Sequence, residues 1–249
     1  MRPNVVVDVG NSRIKWGLCG PDSVREICSL PPDEPADWKR QMELWTAARG
    51  LWVVSGVHPP RRDQFIDWLR QGGQQVRLFD DPNELPLRVL VARPDHVGVD
   101  RLLDAVAANS RRTAETPAVV IDAGSAVTVD LIDGSGAFAG GAILPGMRLM
   151  VKALHDHTAL LPIIAPPEKR PAIPGTDTPA AMELGTFWAV AGGIASLLEE
   201  YFSLSRSPMQ VEVFLTGGDG PRLHSVISEA HLWPEMTLEG IRLSAEALS

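Results

Sequence analysis

The residues best placed to do chemistry come as a matched pair. Asp8-Val9-Gly10-Asn11-Ser12 and, 114 positions later, Asp122-Ala123-Gly124-Ser125 each put a carboxylate, a flexible turn and a small hydroxyl after an apolar β-branched run. Turn amides and a hydroxyl can donate to phosphate oxygens, and a carboxylate can hold hydrated Mg²⁺ or another cation that offsets phosphate charge. One Asp-x-Gly is ordinary turn chemistry; two copies opening two halves of a chain point to a nucleotide. Lys15 follows the first copy and reads either as a phosphate contact or as a solvated strand side chain. Thr216-Gly217-Gly218-Asp219-Gly220 follows a predicted strand and would let backbone approach a nucleoside, although plain loops share that composition. Gly98-Val99-Asp100-Arg101 opens a predicted helix. Asp100 there reads as a helix cap or as a carboxylate base, beside a guanidinium able to clasp a substrate carboxylate. His96 reads as a loop residue, and Gly140 to Gly146 as a loop or a β-turn and helix start.

The elements that must hold these residues repeat as well. Val5 to Val7 and Val119 to Ile121 read as buried strands, and Ile14 to Leu18 and Val127 to Ile132 as the strands returning from each turn. Each half therefore opens with a hairpin bearing Asp-x-Gly at its bend. Between the copies the pattern predicts a strand over Leu51 to Val57, a helix over Arg62 to Gln71, a strand over Gln75 to Phe79 and a helix over Asp100 to Arg112. The second half predicts helices over Met147 to His157 and Thr178 to Phe202, then a strand over Val211 to Leu215. Thr178 suits an N-cap and Pro179 the first helical position. Leu161 to Pro174 holds five prolines and reads as an irregular connection. Two α/β halves, split near Ala114 to Thr116, account for the pattern.

Composition narrows the function classes. The 249 residues are 45% hydrophobic and 22% charged, the balance of a folded chain with a sizeable core. A net charge of −8 argues against a sequence-independent nucleic-acid binder, which needs clustered Lys and Arg. Cys19 and Cys28 have no metal-type pairing with histidines, so a reduced, cytoplasmic setting is expected. The charge-free stretch Leu184 to Leu198 is 15 residues, shorter than the roughly 20 needed to span a membrane. Met1 to Val7 ends at Asp8 without the features of a signal peptide. No membrane and no nucleic-acid partner is expected.

Taken in order, these motifs resemble the type III pantothenate kinase family. The matching pieces are Asp8 to Ser12, Pro94 to Arg101, Asp122 to Asp130, Gly140 to Gly146, Gly175 to Gly185 and Thr216 to Gly218. The resemblance implies the fold of the acetate kinase, sugar kinase, Hsp70 and actin superfamily: two duplicated ribonuclease H-like α/β domains, residues 1–115 and 116–249, around an ATP cleft. It implies ATP-dependent phosphorylation of pantothenate to 4'-phosphopantothenate, the first step of coenzyme A synthesis.

The roles implied are specific. Asp100 corresponds to the catalytic base. Asp8, Val9, Gly10, Asn11, Ser12, Arg13, Ile14 and Lys15 form the first ATP segment, with Ser125, Thr216, Gly217 and Gly218 completing the ATP site. Asp8 would organise Mg²⁺ through water, and Asp122 would hold a monovalent cation, K⁺ or NH₄⁺. Gly98, Val99, Asp100, Arg101 and Thr178 correspond to pantothenate contacts, and a homodimer is implied, with Thr178 to Phe202 a candidate contact. Ser12 and Ser125 stand where Thr is common and keep the hydroxyl; Val91 and Leu102 stand where Tyr and Trp are frequent. The alternatives are another small-molecule kinase of the same fold and a non-catalytic regulator of the Bvg accessory factor kind. The retained Asp8, Asp100 and Asp122 favour catalysis, since a binding module needs no base.

Overall fold

The computed structural model describes residues 2–45, 50–204 and 211–248. The chain divides into two units, Met1–Arg111 with Glu235–Ser249, and Arg112–Pro234.

The first unit runs β1 (Val5–Val9), β2 (Ile14–Cys19), β3 (Val24–Leu30), α1 (Pro35–Leu44), β4 (Leu51–Ser55), α2 (Pro59–Gln71), β5 (Gln75–Phe79) and α3 (Val99–Arg111). Its sheet has the order β3-β2-β1-β4-β5. β1 to β3 pair antiparallel, whereas β4 and β5 continue parallel to β1. Alternation along β1 decides what each face holds. Val5, Val7 and Val9 enter a core with Trp16, Trp38, Trp52, Phe65 and Leu69. The rings of Trp16 and Trp52 meet edge-on at 5.0 Å and those of Trp38 and Phe65 at 5.1 Å, so aromatic rings dominate this core. Asp8 has the opposite parity and leaves this core. β3 was not legible in the sequence because it is an edge strand with one buried residue, Val24.

The second unit runs β6 (Ala118–Ala123), β7 (Ala126–Ile132), β8 (Phe138–Pro145), α4 (Met147–Asp156), α5 (Thr178–Leu204), β9 (Glu212–Thr216), α6 (Gly220–Leu223) and β10 (His231–Leu232). Its sheet order is β10-β9-β6-β7-β8, with β6 to β8 antiparallel and β9 parallel to β6. The two sheets therefore correspond strand for strand, β1 to β6 and β4 to β9. This is the two-half α/β arrangement read from the paired motifs, and the duplicated ribonuclease H-like fold that the family resemblance implies. Gly140 to Gly146, expected as a loop or turn, lies largely within β8, an edge strand whose glycines hid its pairing. Val119, Ile121, Val127 and Val129 pack on Phe187, Val190, Ile194 and Leu198 of α5. With 27 residues, α5 is long and apolar enough to cross a membrane by length and composition. That exceeds the 15-residue stretch read from the sequence, because isolated charges at the helix ends interrupt the run without breaking the helix. Its buried face on β6 and β7 is that of a core helix.

The last helix, α7 (Met236–Ala247), belongs to the first unit. A contiguous division at 115/116 places it with the second half; the contacts place it against α3 and β1. Two features hold it there. Glu239 Oε1 accepts the Val24 N–H at 2.7 Å, while Glu239 Oε2 and Glu246 Oε2 accept from Arg242 at 2.7 and 2.8 Å. At Gly240 the helices cross so closely that a Cβ would lie 2.0 Å from the Leu103 carbonyl oxygen of α3.

Candidate functional site

In the first unit the candidate residues collect at the C-terminal end of β1, the edge where open α/β sheets take ligands. The Gly10 N–H donates to Arg13 O at 3.0 Å, closing the β1–β2 turn. Asn11, Ser12 and Arg13 are exposed on it, and Lys15 stands across from Asp8 in the strand register. Val9 and Ile14 are fully buried, so within this segment they offer a ligand only backbone. Arg61, which sequence reasoning missed, donates from α2 to the Asn11 carbonyl and pairs with Asp33 at 2.9 Å. An Arg near a helix start carries no sequence signal for that contact.

Asp100 lies at the same end. Gly56, just past β4, approaches the Val9 backbone, and a Cβ on Gly98 would come 3.8 Å from Val57 and 2.5 Å from Asp100 Oδ1. Asp100 is the second residue of α3, inside the helix and not its N-cap; its Oδ1 accepts the Arg101 N–H at 2.9 Å. Burial pushes its carboxyl above the usual range, against the lowering effect of the Arg101 N–H and guanidinium. A carboxylate with a raised pKa takes a proton more readily than one in water, which suits a base. Arg101 is half-buried beside it.

The second unit repeats the arrangement. The Gly124 N–H donates to Ala126 O at 3.0 Å and the Gly146 N–H to Ser125 O at 3.1 Å, so the start of α4 braces the turn that exposes Ser125. Asp122 faces Thr128 across β7 and Thr216 across β9. Gly217 has φ +88°, and a Cβ there would lie 2.4 Å from both Asp122 Oδ1 and Ala123 O; only glycine fits between the strand ends. The Asp219 N–H closes the turn onto Ala123 O at 2.8 Å, and Gly218 is exposed. Asp219 pairs with Arg222; burial raises its carboxyl while Arg222 and Arg148 lower it.

Thr178 starts α5 and is exposed. The N-cap expected of it belongs to Asp177, whose Oδ1 accepts the Ala180 N–H at 2.8 Å. A carboxylate at the cap complements the helix N-terminus better than a neutral hydroxyl. Thiol chemistry is disfavoured, because burial pushes Cys19 up to about 12 and Cys28 up to about 11. A cavity of about 410 Å³ lined by Pro35, Trp38, Gln64, Asp67, Trp68 and Gln71 includes none of the residues above.

The donor sets fit hydrated Mg²⁺ and a monovalent cation better than a protein-caged metal. Among the described residues no three His, Cys, Asp or Glu side chains gather to hold an ion alone. Mg²⁺ at phosphates keeps several waters and needs one or two carboxylates, a demand that Asp8 beside an exposed turn meets. Asp122, with a hydroxyl-bearing neighbour on each side, presents oxygen donors for a larger, more weakly hydrated ion.

Residues 4–200 match the family model of type III pantothenate kinase. The type III pantothenate kinase of Synechococcus sp. (strain JA-3-3Ab) is 34% identical over 239 residues, covering 94% of this chain and 88% of that one. That of Rubrobacter xylanophilus is 37% identical over 255 residues, covering 96% of each. Among solved structures, a Baf family protein from Campylobacter jejuni, described as a transcriptional activator, superposes with a TM-score of 0.64 at 19% identity over 98% of both chains. At that identity the likeness concerns the fold.

Proposed function

This chain belongs to the type III pantothenate kinase family, whose members phosphorylate pantothenate from ATP at the head of coenzyme A synthesis, and we propose how its residues do so. Asp100 is the general base. Its carboxylate accepts the proton of the pantothenate primary hydroxyl as that oxygen attacks the γ-phosphorus and the bond to the β-phosphate oxygen breaks. The observation that carries this assignment is a half-buried carboxylate with a raised pKa, fixed by the Arg101 N–H and packed beside Gly98. Phosphoryl transfer asks a protein mainly for alignment and charge compensation. Asn11, Ser12 and Lys15, with backbone amides of Asp8 to Ile14, bind phosphate oxygens, and Ser125 does so from the second turn. Thr216 to Gly218 border the nucleoside. Arg101 pairs with the pantothenate carboxylate, next to backbone of Gly98 and Val99, and Thr178 adds a hydroxyl.

Mg²⁺, when bound, supplies Lewis-acid neutralisation of phosphate charge, and Asp8 would hold it through water. Asp122 would hold K⁺ or NH₄⁺. We further place the enzyme in the cytoplasm as a homodimer, with α5 a candidate contact. The test is ADP release with and without pantothenate, and with KCl replaced by NaCl at constant ionic strength. Release that requires pantothenate and K⁺ supports the reading. ADP release indifferent to pantothenate overturns the substrate assignment, and indifference to the cation overturns the role of Asp122.

A further inference from the structure

The two sheets allow an internal comparison, because Asp8 and Asp122 occupy the same position on corresponding strands. Asp8 lies between Lys15 on β2 and Ser55 on β4. Asp122 lies between Thr128 on β7 and Thr216 on β9. The first row thus sets a lysine and a serine on either side of its Asp in register, and the second sets two threonines there.

The two outer hydroxyls also differ in how they are satisfied. Ser55 and Thr216 are both fully buried. Ser55 Oγ donates to Phe79 O of β5, its register partner, at 2.7 Å. On the corresponding side of Thr216, β10 is two residues long and its register ends with Leu232 opposite Leu215. The chain then turns away, with the Trp233 N–H bonding back to Leu215 O at 2.8 Å. Thr216 Oγ1 is left with no hydrogen-bond partner among the described residues. Such a group is destabilising in the folded state, and its retention needs a reason. Its side is fixed: Val213 and Leu215 enter the core with Ile121 and Ala123, so Thr216 projects to the Asp122 side of the sheet. Asp122 Oδ1 is in turn pressed against Gly217, the next residue.

We propose that Thr216 is a cation ligand: its hydroxyl oxygen, with the Asp122 carboxylate, holds a monovalent ion in the row whose counterpart in the first sheet carries Lys15. This rests on the cation role proposed for Asp122. A hydroxyl offers a cation its lone pairs while its proton remains free to donate elsewhere, so cation binding satisfies an oxygen the fold leaves bare.

The test substitutes Thr216→Val, which keeps the branched shape and removes the oxygen, and Thr216→Ser, which keeps the oxygen. The thermal midpoint is followed as KCl replaces choline chloride at constant ionic strength, for these variants, Asp122→Asn and wild type. Thr216→Val should melt at or above wild type without K⁺, since an unbonded hydroxyl is lost. Its half-saturating K⁺ should rise about 10-fold or more, the scale on which removing a supporting metal contact acts. Thr216→Ser should keep the K⁺ response. A K⁺ response in Thr216→Val equal to wild type overturns the proposal while leaving Asp122 intact. A melting loss in K⁺-free buffer with the response preserved overturns it too, since the hydroxyl is then structural. If wild type and Asp122→Asn both ignore K⁺, the underlying cation reading fails and this one with it. Should Thr216→Val not fold, Thr216→Ala at the same position is judged by the same K⁺ titration.

Discussion

Replacing Asp100 with Asn should make the enzyme slower and more stable together. Asparagine keeps the side-chain shape, and its Oδ1 can still accept the Arg101 N–H that Asp100 accepts at 2.9 Å. What disappears is the base. General-base assistance is typically worth about 10²- to 10⁴-fold, or about 3–6 kcal/mol at roughly 1.4 kcal/mol per decade. The kcat should fall by that factor while the ATP KM changes little, because no proposed ATP contact is removed. Stability runs the other way. Burial raises the folded-state pKa of Asp100, so between its unfolded value and that raised value the native state binds the extra proton and stability declines as pH rises. Above the raised pKa the partly desolvated charge is a standing penalty that asparagine removes. The acid limb of wild-type kcat/KM should accordingly lie above the ordinary carboxylate range. ADP release against pH, paired with calorimetric melting of both proteins at neutral pH, reads all of this. A folded variant with near-wild-type kcat refutes the base; a lower melting temperature refutes the claim that this carboxylate is held at the expense of stability.

Three further outcomes follow from the geometry. Glu239→Ala should destabilise by about 1–3 kcal/mol by urea denaturation, the range for a lost hydrogen bond to a charged group and a buried donor left unsatisfied, because it leaves the Val24 N–H without its acceptor and Arg242 with Glu246 alone. Gly217→Ala should lower the melting temperature and raise the ATP KM, since a Cβ at φ +88° meets Asp122 Oδ1 and Ala123 O; unchanged kinetics would show that the β9 turn is not part of the nucleotide site. Light scattering at assay concentration should give twice the chain mass of 26.9 kDa, and an active monomer would rule the dimer out.

Much of the candidate site's local structure was legible because it is set by neighbouring residues. Asp-x-Gly after a β-branched run dictates a strand, a turn and a carboxylate near the turn regardless of context, and both copies took that form. The helix behind Asp100 was readable from its apolar face, one residue off at each end. Edge strands were not, since β3 buries one residue and β8 is rich in glycine, so neither shows the alternation of a half-buried strand. The cap of α5 was misplaced by one residue because Asp177 and Thr178 are both good capping residues, and only the hydrogen bond distinguishes them.

The sequence alone determined the duplicated architecture, the family and the identity of three carboxylates, for these depend on residue types at short spacing. Tertiary structure decided the rest. It returned α7 to the first sheet, because Gly240 packs on Leu103 of α3, 137 residues away, and Glu239 accepts from Val24 of β3, 215 residues away. It half-buried Asp100, raising its pKa through desolvation that no short motif encodes. It also gave Ser55 a carbonyl and denied one to Thr216, because that difference depends on how far a neighbouring strand extends, a property of the sheet and not of either residue.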